Sequence, residues 1–265
     1  MRNVTFLVPR SASLAPDLMI ALLAAVPEET HLIRQSLLDF QQQSVAGISL
    51  MTGKLAGHEI CLAHSGIGKA AAAATAVTLL CNSRPEALWL FGCGGAYLGS
   101  KLNVGDLALA SAEIFGDEGV TTDKGFADFA TMKLPMRQTS GSGPFFNGWP
   151  VNQELRDWAQ TELTGHAAAT GKALGSGAFV TVSTCTGTEA QAMAIEKRTQ
   201  GICENMEGAA VALACQQLAV PLLEVRGISN LVEARDTSRW DLAAGMTAAQ
   251  NAIMALLNAR PGLKS

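Results

Sequence analysis

A long apolar stretch divided by a single proline constrains this chain more than any other feature. Between Cys203 and Trp240 it reads CENMEGAAVALACQQLAVPLLEVRGISNLVEARDTSRW. From Glu207 to Leu218 an Ala or Leu falls at nearly every helical turn. Pro221 ends that helix, and Leu222, Leu223 and Val225 then read as a short buried strand. Glu207 sits in the helix's first turn, where free backbone N–H groups and the dipole favour a carboxylate. Asn230 follows Gly227-Ile228-Ser229 at the strand's carboxyl end, where open α/β sheets bind ligands. A carboxylate and an amide at neighbouring element ends describe a small-molecule site.

The rest of the chain alternates in the same way. Val4 to Val8 reads as a strand, followed by a loop and a helix from about Pro16, with Ser13 near its cap. Ile48 to Leu55 and Glu59 to His64 flank Ala56-Gly57-His58 as a hairpin. Ser65-Gly66-Ile67-Gly68-Lys69 opens an Ala-rich helix to Asn82. Its glycines permit close backbone approach, or simply a tight strand-to-helix turn. Ala87 to Phe91 is a buried strand running into Gly92-Cys93-Gly94-Gly95-Ala96, where four glycines within eight residues imply backbone packed against a neighbour or a ligand. Asn103-Val104-Gly105-Asp106 turns into a strand, and the acids of Glu113 to Glu118 read equally well as a solvated loop. Residues 121–152 are an irregular excursion rich in Gly, Pro and Ser. A helix from Asn152 to Leu163, a strand from Phe179 to Ser183, a helix capped before Glu189 and a last helix from Asp241 to Leu257 complete one layered α/β domain over residues 1–265.

Composition excludes several functions. With 265 residues, 48% hydrophobic and 16% charged, the chain can bury a large core. A net charge of −4 argues against nucleic acid or an anionic membrane as partner, and 5% aromatics against base stacking. Only five or six apolar residues follow Met1-Arg2-Asn3, too few for a signal peptide, so a cytoplasmic protein is expected. Six cysteines stand singly (Cys61, Cys81, Cys93, Cys185, Cys203, Cys215) and read as reduced core residues. No histidine pair has ligand spacing, so neither a metal nor another cofactor is expected.

Ser65-Gly66-Ile67-Gly68-Lys69, Gly92-Cys93-Gly94-Gly95-Ala96, Asn103-Val104-Gly105-Asp106 and Asn205-Met206-Glu207-Gly208-Ala209-Ala210 together resemble the nucleoside phosphorylase and nucleosidase superfamily, in that family's order and over nearly the whole chain. Glu113 to Val120, Thr181 to Thr188 and Arg226 to Asn230 look like the futalosine hydrolase branch, which cleaves futalosine to hypoxanthine in an alternative menaquinone route. The resemblance implies a three-layer αβα fold with a central mixed sheet, a nucleoside substrate and a homodimer or larger ring. Phe145, Phe146 and Trp149 are candidates for that interface or for their own core.

The resemblance also implies roles. Met206 packs under the ribose, and Glu207 accepts from its hydroxyls and stabilises positive charge growing on the ring. Asn205, Gly94, Gly95, Thr184, Cys185 and Thr186 belong to the binding segments. Asn230 stands where adenine-cleaving relatives carry an Asp; an amide can donate to O6 of a 6-oxopurine and accept from its N7–H. Phosphorylases hold phosphate with an Arg just before the glycine loop and a hydroxyl within it. Leu90 to Gly95 has neither, which favours water as nucleophile. Nucleosidases usually place a Glu after the first strand to orient that water, yet Pro9 to Asp17 contains none. Asp17, a serine of that loop or Glu207 itself is left to take the role, or the enzyme is slow. Arg235 and Arg239 are candidates to meet the substrate's aryl carboxylate, or are surface arginines paired with Asp236 or Glu233. The rival readings are a methylthioadenosine/S-adenosylhomocysteine nucleosidase, a 6-oxopurine nucleoside phosphorylase, and a nucleoside-binding protein without catalysis.

Overall fold

A computed structural model describes residues 19–139 and 143–260. Fourteen strands and six α-helices alternate through them. The strands are β1 (Ile20–Ala24), β2 (Leu38–Val45), β3 (Ile48–Leu55), β4 (His58–His64), β5 (Ala87–Ala96), β6 (Leu107–Phe115), β7 (Gly119–Thr122), β8 (Gly125–Asp128), β9 (Arg137–Thr139), β10 (Gly143–Phe145), β11 (Gly148–Pro150), β12 (Leu174–Thr181), β13 (Cys203–Asn205) and β14 (Leu222–Leu231). The helices are α1 (His31–Ser36), α2 (Lys69–Ser83), α3 (Gln153–Ala169), α4 (Glu189–Thr199), α5 (Gly208–Leu218) and α6 (Leu242–Ala259).

Ten strands form one mixed sheet in the order β11-β6-β12-β13-β5-β1-β4-β3-β2, with β14 bridging β5 and β6. Strands β5, β14, β6, β12 and β13 therefore close a ring. β1 lies parallel to both β4 and β5, and β14 parallel to β5. Helices cover both faces. Ala21 and Leu23 of β1 pack into the core under α2 and α5, while Ile20, Leu22 and Ala24 pack into the core under α6. A strand buried on both sides shows no alternation, only a continuous apolar run.

That fact overturns the first expectation. The helix expected from about Pro16 is instead a strand at Ile20–Ala24, every residue of it buried. The run Ile20-Ala21-Leu22-Leu23-Ala24 satisfies a buried helix and a two-face-buried strand equally, and its neighbours β4 and β5 decide the matter. Val4 to Val8 and Asp17 lie outside the described residues. The edge strand β2 was also missed, because its residues are mostly exposed and carry no period.

Other elements are found where expected, though α3 runs six residues past Leu163 to Ala169 and β12 begins at Leu174 rather than Phe179. The hairpin β3–β4 turns at Ala56 and Gly57, with φ of 51° and 81°, the positive pair a type I′ turn requires. Asn152, Thr188 and Asp241 cap α3, α4 and α6 by accepting from Leu155, Gln191 and Ala244 N–H groups. The excursion folds into the small hairpins β7–β8 and β9–β10, and β11 joins the edge of β6. Trp149 is fully buried and stacks on Phe145 at 4.9 Å, so both rings serve this chain's own core. Glu113 lies in β6 and is wholly buried, not on a solvated loop. Among the described residues no helix is long and apolar enough to cross a membrane.

Candidate active site

The carboxyl ends of β1, β4, β5, β12, β13 and β14 converge on one cavity of about 270 Å³. Its walls include Glu29, Ile67, Cys93, Gly94, Gly95, Cys185, Thr186, Glu204, Asn205, Met206, Glu207, Arg226, Asn230 and Arg235. Residues as distant in sequence as Glu29 and Asn230 meet there because the parallel strands β1, β4, β5 and β14 end together, while β13 pairs antiparallel with the end of β5.

Glu207 occupies the N-cap of α5 and is 4% exposed. Its Oε1 accepts from the Gly68 N–H at 2.9 Å, which gives the glycine loop before α2 a definite task. Gly68 has φ of 97°, a conformation glycine alone takes without strain. Burial pushes the Glu207 carboxyl above the usual range, while the Arg226 charge and the Gly68 N–H favour its ionised form. Arg226 is 1% exposed. Its Nε donates to Glu224 Oε1 at 2.9 Å, its Nη1 lies 3.8 Å from Glu207 Oε2 and 3.3 Å from the Cys93 carbonyl, and its Nη2 has no partner among the described residues. Burial opposes the guanidinium charge, but Glu224 and Glu207 more than offset it, raising its pKa.

Glu29 is a buried acid that the sequence analysis does not single out. It follows β1 in the short 3₁₀ turn Pro27–Thr30 and is 3% exposed. Its Oε2 accepts from Ala25 N–H at 2.9 Å and its Oε1 from Cys93 N–H at 2.8 Å. The carboxylate thus lies on the glycine loop, and a side chain at Gly92 would collide with it. With β1 assigned to Ile20–Ala24, the spacing from strand to acid would have singled out Glu29. Arg226 could have been noticed too, as an ionisable pair with Glu224 on one face of a strand otherwise apolar.

Asn230 lines the cavity beside Gly95, where an added Cβ would come within 3.0 Å of its amide nitrogen. Ser229 Oγ donates to Asn230 Oδ1 at 2.8 Å, and Asn230 Nδ2 donates to the Leu231 carbonyl at 3.1 Å. One amide N–H and one lone pair stay free for a ligand. Met206 and Cys185 meet at 3.3 Å between sulfurs. Thr186 closes on Glu204, giving it both N–H and hydroxyl, and Tyr97 donates to the same carboxylate. The sequence reading did not name Glu204.

Two expected site residues turn out differently. Thr184 is exposed and does not line the cavity. Asn205 lines it, but its side chain is committed inward: Oδ1 accepts from Glu207 and Gly208 N–H groups and Nδ2 donates to Glu113. Arg239 is taken by Glu233, whereas Arg235 stacks on Trp240 at 4.7 Å and has no carboxylate partner among the described residues. Lys69 pairs with Asp117 and Glu118. The cysteines are less uniform than expected: Cys61, Cys203 and Cys215 are buried, Cys81 and Cys185 exposed, and all are free thiols. Among the described residues no group of three or more His, Cys, Asp and Glu is arranged to hold a metal.

Residues 19–259 match the family model described as Phosphorylase superfamily. The chain belongs to that superfamily. It is 26% identical over 220 residues to the 5′-methylthioadenosine/S-adenosylhomocysteine nucleosidase of Staphylococcus haemolyticus, covering 82% of this chain and 88% of that one. The same enzyme of Bacillus thuringiensis is 28% identical over 223 residues, 84% and 90% of the two chains. Among solved structures, the Neisseria meningitidis nucleosidase in complex with methylthio-immucillin-A superposes with a TM-score of 0.78 at 21% identity, over 92% of this chain and all of that one. The futalosine hydrolase of Helicobacter pylori gives 0.76 at 20% identity, over 91% and 98%. As a superfamily member, the chain has the mixed sheet covered on both faces that its motifs implied.

Proposed function

We propose that this protein is an N-ribosyl hydrolase that cleaves futalosine to hypoxanthine and the dehypoxanthinyl product, in the futalosine route of menaquinone biosynthesis. One observation carries the choice of base: Asn230, an amide with one free N–H and one free lone pair, faces the same cavity as Glu207. The pair suits a 6-oxopurine, whose O6 accepts and whose protonated N7 donates. Arg235, stacked on Trp240 in the cavity wall without an acid partner among the described residues, suits the carboxylate at the substrate's far end.

The bond between the anomeric carbon and the purine nitrogen breaks first, leaving an oxocarbenium-like ribosyl group. Asn230 stabilises the departing hypoxanthine, which leaves protonated at N7 with a proton from solvent. Glu207 accepts from the ribose hydroxyls and its charge stabilises the cation. Water attacks the anomeric carbon and passes a proton to Glu29, the assignment that replaces Asp17. Arg226, whose Nη1 faces Glu207, offsets part of the charge of the two carboxylates. Hydrolysis is favoured over phosphorolysis, though not for lack of a cation, since Arg226 is present. Glu29 already takes the Cys93 N–H that an anion would use, and it would repel phosphate.

A methylthioadenosine/S-adenosylhomocysteine nucleosidase is the second reading, supported by the names of the relatives at 26% and 28% identity. Asn230 separates the two, because an adenine leaving group calls for a carboxyl there. Purified protein is incubated with futalosine, with methylthioadenosine, and with inosine plus phosphate, and free base is followed. Hypoxanthine from futalosine without phosphate is the expected result. Adenine release alone would transfer the assignment to the second reading, and saturable binding without any base release would make the chain a binding protein.

A further inference from the structure

Beneath the first turn of α5 lie two carboxyl groups that the proposed chemistry does not use. Glu113 comes from β6 and Glu224 from β14, and both are fully buried. Both press on one point, the space that a Cβ at residue 208 would fill, and they interact electrostatically. Glu113 Oε2 contacts Thr181 Oγ1 at 2.7 Å and its Oε1 accepts from Asn205 Nδ2 at 2.6 Å. Glu224 Oε1 accepts from Arg226 Nε at 2.9 Å, while its Oε2 has no partner among the described residues. Residue 208 is a glycine where any Cβ would strike both carboxyls. The other titratable groups that sense the pair are Arg226 on β14, Cys203 on β13, and Glu207 and Cys215 at the cap and in the body of α5.

We propose that Glu113 is a positioning residue: as a neutral acid it shares one proton with Glu224, and the pair locks both Arg226 and the turn carrying Glu207. Two adjacent buried carboxylates facing a single guanidinium would leave an uncompensated charge beside Glu207. One proton on the pair lowers that excess and turns one carboxyl into a donor. Two lines of hydrogen bonds then run from Glu113 to the site. One passes through Glu224 to Arg226 Nε, which turns Nη1 toward the Cys93 carbonyl and, as an ion pair at 3.8 Å, toward Glu207. The other passes through Asn205, whose Oδ1 holds the Glu207 and Gly208 N–H groups. Both lines end at Glu207. Burial is the main cause that raises the Glu113 carboxyl well above its ordinary range, followed by the Glu224 charge and the hydrogen bond between them.

This inference rests on the reading of Glu207 and Arg226 as site groups, and the test keeps the two apart. Glu113→Gln, Glu113→Ala and Glu224→Gln are compared with the unaltered chain in kcat and KM across pH, on whichever nucleoside the unaltered chain cleaves. Infrared difference spectra then look for the carbonyl stretch of a buried protonated acid. Glu113→Gln keeps kcat within a few-fold, since its amide can still donate to Glu224, and it loses the acid band and the alkaline limb that the pair's deprotonation causes. Glu113→Ala and Glu224→Gln lower kcat on the order of 10²-fold with little change in KM, as expected when reacting groups are displaced. A Gln variant as impaired as the Ala variant would overturn the proposal, as would an unaltered chain without the band. If Glu113→Ala does not fold, the Gln variant and the band decide. If the unaltered chain cleaves no nucleoside, the functional reading fails and the band still tests the shared proton.

Discussion

Glu29 is proposed to take the proton of the attacking water, and each of its two oxygens accepts a backbone N–H, so Glu29→Gln removes the charge and leaves one of those N–H groups facing an amide nitrogen that cannot accept. Glu29→Gln should lower kcat by about 10²–10⁴-fold, the usual worth of a positioned acid or base, with KM for the nucleoside nearly unchanged. Single-turnover and steady-state rates check this. Asn230→Asp should lower kcat/KM for 6-oxopurine nucleosides by up to about 10⁴-fold, because a carboxylate facing O6 leaves the pairing unmade. Unchanged turnover would remove Asn230 from the chemistry. In the proposed mechanism Glu207 acts ionised, and burial raises its carboxyl, so activity should fall with decreasing pH at values above those of an ordinary Glu, about 4.3. Single residues were unevenly legible. Glu207, Met206 and Asn230 stood at element ends where chemistry concentrates, and the fold brings them to one cavity. Thr184 could not be separated from Cys185 and Thr186 by sequence, because only the path of the loop decides which side chain turns inward.

Elements were read well where local chemistry marks their ends and poorly where packing alone defines them. The Ala56-Gly57 turn and the caps Asn152, Thr188 and Asp241 follow from φ requirements and side-chain acceptors within a few residues. Replacing Asn152 by Ala should accordingly cost about 1 kcal/mol, measurable as a shift in denaturant midpoint with activity unaltered. Strand β1 carries no such mark. Its identity depends on β4 and β5 lying on either side, and a strand buried on both faces shares the apolar run of a buried helix. With β1 at Ile20–Ala24, the buried acid that follows this strand is Glu29 rather than a residue of 9–17. Glu113 was hidden for a related reason: three acids in a short run suggest solvent, and only the partners Thr181, Asn205 and Glu224 explain one of them inside the core.

At the scale of the whole molecule, buried carboxyls set the response to pH. Glu113 has a folded-state pKa raised above its unfolded value, so the folded form binds the proton more tightly. Its contribution to stability is full below the unfolded pKa of about 4.3 and is lost as pH rises through the folded value. Melting temperatures of Glu113→Gln should therefore fall less steeply toward alkaline pH than those of the unaltered chain. Thiol chemistry should be similarly selective. Burial pushes the Cys61 thiol to about 11 and those of Cys93 and Cys215 to about 12, so the exposed Cys81 and Cys185 should react first with a thiol reagent. The overall layering was legible from the alternation of apolar runs and helices; the ring closed through β13 and β14 was not, because its pairings join segments more than 100 residues apart. The central claim is that the ends of these strands hold a hypoxanthine riboside between Asn230 and Glu207. A crystal structure with hypoxanthine and a ribosyl transition-state mimic should place the Asn230 amide against O6 and N7 and the Glu207 carboxylate on the sugar hydroxyls; a base bound elsewhere, with both side chains turned from it, would contradict the account.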